Sequence, residues 1–145
     1  MHNEFEATID APADQVYAIV SDLSRYPEFL AIVTKVEPAD GDDGSWWVTL
    51  RAKIGPFARS KRLRMVRTVA ETGARARFER VEVDGRQHSP WTLEARVRPD
   101  GDTTSVVTMG LDYGGGLWSG AIDAVLRAEV DDAGQRLQDL ATAAV

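Results

Sequence analysis

The final stretch of the chain, residues 114–145, sets the terms for everything upstream. Its apolar residues Trp118, Ile122, Val125, Ala133, Leu137, Leu140 and Ala144 recur mostly at steps of three and four, the period of a helix with one buried face. Ser119, Asp123, Arg127, Asp131 and Gln138 fall on the opposite side, as a solvated face should. A row of small residues, Ala121, Ala124 and Ala128, runs beside the stripe and would let the helix lie close to a neighbouring surface. A helix of about 28 residues extends roughly 42 Å at 1.5 Å per residue. That is too long for a satellite element in a chain of 145 residues. It needs a broad apolar surface to lie on, and the strands before it must supply one.

The length predicts one domain, residues 1–145, and an apolar fraction of 43% suffices for a core. The chain has no cysteine, which excludes a disulfide framework, a thiolate metal site and a cysteine nucleophile. No apolar run has the length of a membrane span, and residues 1–20 lack a signal-peptide pattern. A cytoplasmic protein without stable membrane insertion is expected. The net charge of −6 argues against nucleic acid as a partner, but the charge is uneven. Residues 51–98 hold 13 Lys and Arg against 5 Asp and Glu, or +8, which leaves −14 for the rest. Solvated strand faces meeting acidic helices and loops account for this. A basic recognition face is the sharper alternative.

His2 to Ile9 alternates, with Phe5, Ala7 and Ile9 on one side, as in a half-buried strand. Asp10-Ala11-Pro12 stops it, and proline just inside a helix start costs no hydrogen bond. A helix is predicted from about Pro12 to Asp22, then a second short one through Tyr26-Pro27-Glu28-Phe29-Leu30, capped by Ser24. Beyond residue 32 the period changes to two. Strands are predicted at 32–39, 45–54, 58–71, 74–83, 89–99 and 103–113, separated by Gly, Asp and Pro turns. Such short joints imply an antiparallel meander. The order predicts an α+β fold of the helix-grip type. A seven-stranded curved antiparallel sheet wraps a long C-terminal helix, with two short helices after the first strand. Side chains rarely fill the space inside so bent a sheet, so a cavity is expected there.

Two motifs carry a resemblance. Ile9-Asp10-Ala11-Pro12-Ala13-Asp14-Gln15-Val16-Tyr17 resembles the opening of the START-like, or SRPBCC, superfamily of polyketide cyclases, ligand receptors and lipid carriers. Ser21-Asp22-Leu23-Ser24-Arg25-Tyr26-Pro27-Glu28-Phe29-Leu30 is similar to its second signature, an Asp followed by an aromatic-Pro pair and another aromatic. Leu137-Gln138-Asp139-Leu140, closing the last helix, matches as well. Tyr26-Pro27-Glu28-Phe29-Leu30 with Trp91 resembles the coenzyme-Q-binding and ribosome-association-toxin branch. Lys53-Ile54-Gly55-Pro56-Phe57 with Gly114-Gly115-Gly116-Leu117 resembles the carbon monoxide dehydrogenase branch of the same superfamily. The resemblance implies a pocket for an apolar or aromatic small molecule.

Little else in the sequence carries chemistry. His2 and His88 are the only imidazoles, too few for a metal site or a catalytic triad. His88 reads as a solvated turn residue, with acid–base work at the pocket rim as the alternative. Gly114-Gly115-Gly116 lacks the Lys-Ser/Thr of a phosphate loop and reads as a hinge. Arg67 shares parity with Leu63, Met65 and Val69, so an unbulged strand turns it inward, where it must be paired. Glu129 interrupts the inward stripe of the last helix, and the two are expected to mark the polar end of the pocket.

The ligand-binding residues are therefore predicted to be Met65, Arg67, Phe78, Trp91, Leu93, Met109, Tyr113, Trp118, Ile122, Val125 and Glu129. No catalytic residue, metal ligand or cofactor is predicted. The expected function is binding or carriage of a lipid, quinone or polyketide-like aromatic by a monomer or homodimer. An aromatase/cyclase acting on a polyketide is the alternative, and a protein-interaction module of the ribosome-association type the third reading.

Overall fold

The computed structural model describes residues 2–39, 44–114 and 117–143, with the side chains of Ile54, Leu117, Trp118 and Ser119 outside that description. Seven strands form one antiparallel sheet: β1 (His2–Ile9), β2 (Val33–Pro38), β3 (Ser45–Ile54), β4 (Phe57–Glu71), β5 (Arg75–Arg80), β6 (Trp91–Pro99) and β7 (Ser105–Tyr113). Their order is β1-β7-β6-β5-β4-β3-β2, a meander closed at one edge by the N-terminal strand. Helix α1 (Ala13–Val20) and a 3-10 helix (Leu23–Glu28) follow β1, and α2 (Leu117–Ala143) follows β7. The sheet curves around α2, which packs on β1, β3, α1 and the 3-10 helix. This is the expected helix-grip architecture.

Local chemistry explains the boundaries. Pro12 is the cap of α1 rather than its first residue, with φ −60° and ψ 150°. Asp22, not Ser24, caps the 3-10 helix: its carboxylate accepts from the Ser24 amide at 3.0 Å and from the Ser24 hydroxyl at 2.6 Å. Aspartate at this position satisfies donors the helix start leaves orphaned. Strand β5 ends at Arg80, three residues earlier than predicted. The Arg64 amide there finds the Glu82 side-chain carboxylate at 3.1 Å, so a side chain replaces the next carbonyl of the ladder. Val81 and Val83, which fall out of phase with Ala76 and Phe78, are exposed.

The apolar stripe of α2 also differs in detail. Ile122, Leu126, Ala133, Leu137 and Ala141 are buried, whereas Val125 and Leu140 only flank the core. The row Ala121, Ala124 and Ala128 does not make the close approach expected of it: Ala124 and Ala128 are exposed. Gly134 makes it instead. A Cβ built there would lie 3.5 Å from Ala7 on β1. Ala144 lies outside the described residues.

Candidate ligand cavity

A partly enclosed cavity of about 70 Å³ lies between the concave face of the sheet and α2. Inward-facing residues of the strands form most of its wall: Val48 and Leu50 on β3, Leu63 and Met65 on β4, Trp91 and Leu93 on β6, Phe5 and Leu111 at the β1 side. Leu23, Tyr26, Leu30, Ile32 and Val33 close it from the 3-10 helix and the turn after it, and Ile122 and Leu126 from α2. Aside from the Trp91 indole, one polar side chain belongs to this set, that of Tyr26, and its hydroxyl is committed elsewhere. It donates to the Val20 carbonyl at 2.7 Å. Burial, and secondarily the Asp22 carboxylate, push this phenol far above its ordinary pKa, so it stays neutral. The cavity therefore offers shape and apolar contact, with no group among its described walls able to move a proton.

Four predicted site residues, Met65, Trp91, Leu93 and Ile122, meet in this wall. Phe78 stands behind it, packed edge-on against Tyr26 at 6.1 Å and Trp46 at 5.8 Å between ring centres. Met109 faces a second, much smaller gap of about 10 Å³ with Phe29, Ala133 and Leu137. Tyr113 stacks on Trp91 at 5.2 Å, and its oxygen accepts from Asn3 at 2.7 Å. Burial and the nearby Asp123 carboxylate raise its pKa. Val125 and Glu129 are half-buried and outside the wall, and the Trp118 side chain lies outside the described residues.

Arg67 keeps the inward parity read from the sequence, because the bulge in β4 falls after it. Arg67 pairs with the inward Phe78, and the next partners are Val69 and Arg77. Thr68 is thus the extra residue, and Val69, expected inward, shares the outward side of Arg77. The Arg67 guanidinium does not form the polar end of the cavity with Glu129. It donates to the Ser21 carbonyl at the end of α1 at 2.8 Å and sits 5.9 Å from the Trp46 ring centre.

Sequence reasoning missed the contribution of the 3-10 segment. Leu23 and Leu30 fall in the predicted short helices and Ile32 and Val33 at the start of the strand predicted at 32–39, and none is assigned to the site, although the apolar run Phe29-Leu30-Ala31-Ile32-Val33 beside a turn is a usable signal.

A second cluster lies in the loop after β5. Glu82, Asp84 and His88 bring donor atoms within 4.8 Å of one another. Arg80 already supplies the cation they face: its Nε donates to Glu82 at 3.0 Å and its Nη2 approaches His88 Nδ1 at 3.2 Å. Because Arg can only donate, His88 Nδ1 is the acceptor, and Nε2–H is left to donate to Asp84 at 2.9 Å. His88 is a tethered loop residue rather than a loose one.

The profile of the family described as "Polyketide cyclase / dehydrase and lipid transport" matches residues 2–144. A search of curated proteins finds no match. Among solved structures, the chain is similar to an aromatase/cyclase from a Streptomyces species, with 16% identity, 98% of this chain and 93% of the other covered, and a TM-score of 0.68. A START superfamily protein from Mycobacterium smegmatis is 13% identical over 99% of both chains, with a TM-score of 0.70. A conserved protein from Geobacillus kaustophilus gives a TM-score of 0.73 at 11% identity, over 98% and 95% of the two chains. At such identities these likenesses speak for the fold. Among the described residues, no helix is long and apolar enough to cross a membrane.

Proposed function

Because the chain belongs to the polyketide cyclase/dehydrase and lipid transport family, we propose that it is a single ligand-binding domain that holds a small apolar molecule, a lipid, quinone or polyketide-like aromatic, between sheet and α2. The observation that carries this reading is the cavity wall, built from fifteen residues of which only Tyr26 has a polar side chain aside from the Trp91 indole. Binding pockets of this kind are mostly apolar with few polar groups. Such a wall favours carriage over cyclisation, since a cyclase needs positioned acid and base groups against its substrate. The cavity is smaller than the roughly 300–1,000 Å³ usual for drug-sized ligands. A guest of that size therefore requires α2 or the side chains of the wall to shift.

The test is uptake of an apolar naphthylamine probe, followed by displacement with a fatty acid, a short-chain quinone and an aromatic polyketide, and incubation with a linear polyketide. Displacement without turnover is expected. Failure to take up the probe at any concentration overturns the binding reading, and cyclised product overturns the preference for carriage.

A further inference from the structure

All three large apolar side chains exposed among the described residues lie at one end of the molecule. Phe57, 64% exposed, is at the tip of the β3–β4 hairpin, and Val81 and Val83, 43% and 70% exposed, are in the loop after β5. The antiparallel topology directs both segments, with the start of β6 and the end of β7, to the same end of the sheet, where the β3–β4 hairpin reaches past the level at which Met65 pairs with Arg80. Trp91, at the start of β6, lines the cavity at this end, and Leu50 and Leu63 line it further in along β3 and β4.

The same hairpin concentrates positive charge. From Ser45 to Ala70 the chain has seven Lys and Arg and no acidic residue. Five of them, Arg51, Lys53, Arg59, Lys61 and Arg62, fall within the outer hairpin, whose +5 contrasts with −11 for the remaining chain. The register places Arg59 and Lys61 opposite inward-facing Ala52 and Leu50, and Arg62 opposite outward-facing Thr49. The cations therefore ring both faces of the hairpin. Arg51, Lys53, Arg59 and Arg62 form no ion pair with a carboxylate among the described residues. At the tip, Gly55 takes φ +62° and Pro56 follows, a rigid two-residue turn that holds Phe57 out.

We propose that this end of the molecule docks on the surface of a lipid bilayer containing anionic headgroups, with Phe57 and Val83 entering the interface and the hairpin cations on the headgroups. An aromatic tip flanked by cations suits that boundary, where apolar burial and electrostatic attraction add. Screening over about 8 Å lets the hairpin charge prevail over the net negative charge of the rest of the chain, while Glu82 and Asp84, on either side of Val83, face Arg80 and His88. The remaining −11 is repelled, which turns the molecule tip-first. Docking in this orientation turns the Trp91 end of the cavity towards the lipid phase. Nucleic acid, the other large polyanion, would use the cations but has no need of an exposed Phe and Val at the same end. The docking does not depend on what the cavity holds.

Flotation with phosphatidylcholine vesicles, with and without about one-third phosphatidylglycerol, tests it. The chain is expected to float with the anionic vesicles only, and to be released by high salt. Each of Lys53→Glu and Arg59→Glu should weaken association at least about five-fold, and Phe57→Ser with Val83→Ser about ten-fold or more. All four positions are exposed, so melting temperatures should stay near that of the parent chain. No flotation at low salt overturns the proposal, as does flotation indifferent to these changes. Binding to RNA that survives Phe57→Ser with Val83→Ser, in the absence of vesicle binding, overturns it in favour of a nucleic-acid surface.

Discussion

The Arg67 guanidinium donates to the Ser21 carbonyl at 2.8 Å, bridging 46 positions of sequence. Ser21 is the C-cap of α1, where orphaned carbonyls concentrate partial negative charge. A cation on an inward strand position is thus neutralised by a helix end, with the Trp46 ring on its other side. Arg67→Met should cost about 2 kcal/mol, the order expected for a hydrogen bond to a charged group. Glu129→Gln, on a half-buried residue away from that contact, should stay within about 0.5 kcal/mol. Denaturant unfolding of the two single variants and the double checks this. Additive effects are expected, and strong coupling would restore an Arg67–Glu129 pair.

The ion pair between Arg80 and Glu82 is less dispensable. The Arg80 and Glu82 side chains are 8% and 9% exposed and meet at 3.0 Å. Glu82 also accepts the Arg64 amide. Glu82→Gln should cost about 3 kcal/mol, because it leaves a buried guanidinium without its countercharge. Removing both charges, as Arg80→Met with Glu82→Leu, should cost less than the single change. A double variant less stable than either single one would contradict this.

The edge strand β1 carries a pH-dependent clasp. His2 Nδ1 lies 2.6 Å from the Asp112 carboxylate on β7. That hydrogen bond, with Glu4 adding to it, raises the His2 pKa above the usual 6.5. The stabilisation is complete below pH 6.5, where folded and unfolded chains both hold the proton, and is lost as pH rises through the higher folded value. An NMR titration should find His2 above its usual value and returned towards it in Asp112→Asn. Amide protection at the β1–β7 edge, taken relative to the intrinsic exchange rate at each pH, should fall on the alkaline side in the parent only.

The architecture is legible in the sequence because period and turn chemistry agree along the chain. Strand β3 is predicted at 45–54 and found at Ser45–Ile54, because its alternation is clean and both ends are turns. Failures arise where a side chain takes a backbone role. Glu82 supplies the acceptor that a continued β5 would have supplied, and Asp22 displaces Ser24 as a cap. The cavity wall is only partly readable. Parity identifies Met65, Trp91 and Leu93 but does not say how far along each strand the wall extends. It also carries no information on the 3-10 segment, whose residues have no sheet period. Arg67 is placed correctly by parity and given the wrong partner, since a helix-end carbonyl leaves no mark in sequence.

Two glycines should respond in opposite directions. Gly134 lies inside α2, and its substitution by Ala would bring only an ordinary contact with Ala7 at 3.5 Å. Gly134→Ala should stabilise by about 0.5–1 kcal/mol through helix propensity and reduced unfolded-state entropy. At Gly114 a Cβ would sit 2.7 Å from that of Ser89, where the β6 approach crosses close to the end of β7. Gly114→Ala should destabilise. Thermal melts of both variants decide, and a stabilised Gly114→Ala would mean that Ser89 yields freely.

The cavity itself makes the most discriminating prediction, because stability and binding should move in opposite directions. Leu63 is 2% exposed and lines the cavity. Leu63→Ala should cost about 2–5 kcal/mol, since the methyl groups lose their contacts and the space left behind is not refilled. The same change adds room next to a cavity of about 70 Å³ that is small for its intended guest. Affinity for an apolar probe should therefore rise although the fold weakens. Ile122→Phe is the converse: the larger side chain reaches into the cavity from α2, and probe affinity should fall. Overpacking costs about 1–3 kcal/mol, so this variant is also less stable than the parent. Both variants thus lose stability, while their affinities part in opposite directions. A general effect of loosening the fold would move both affinities the same way. If it does, or if neither affinity changes, the guest binds somewhere other than between the sheet and α2.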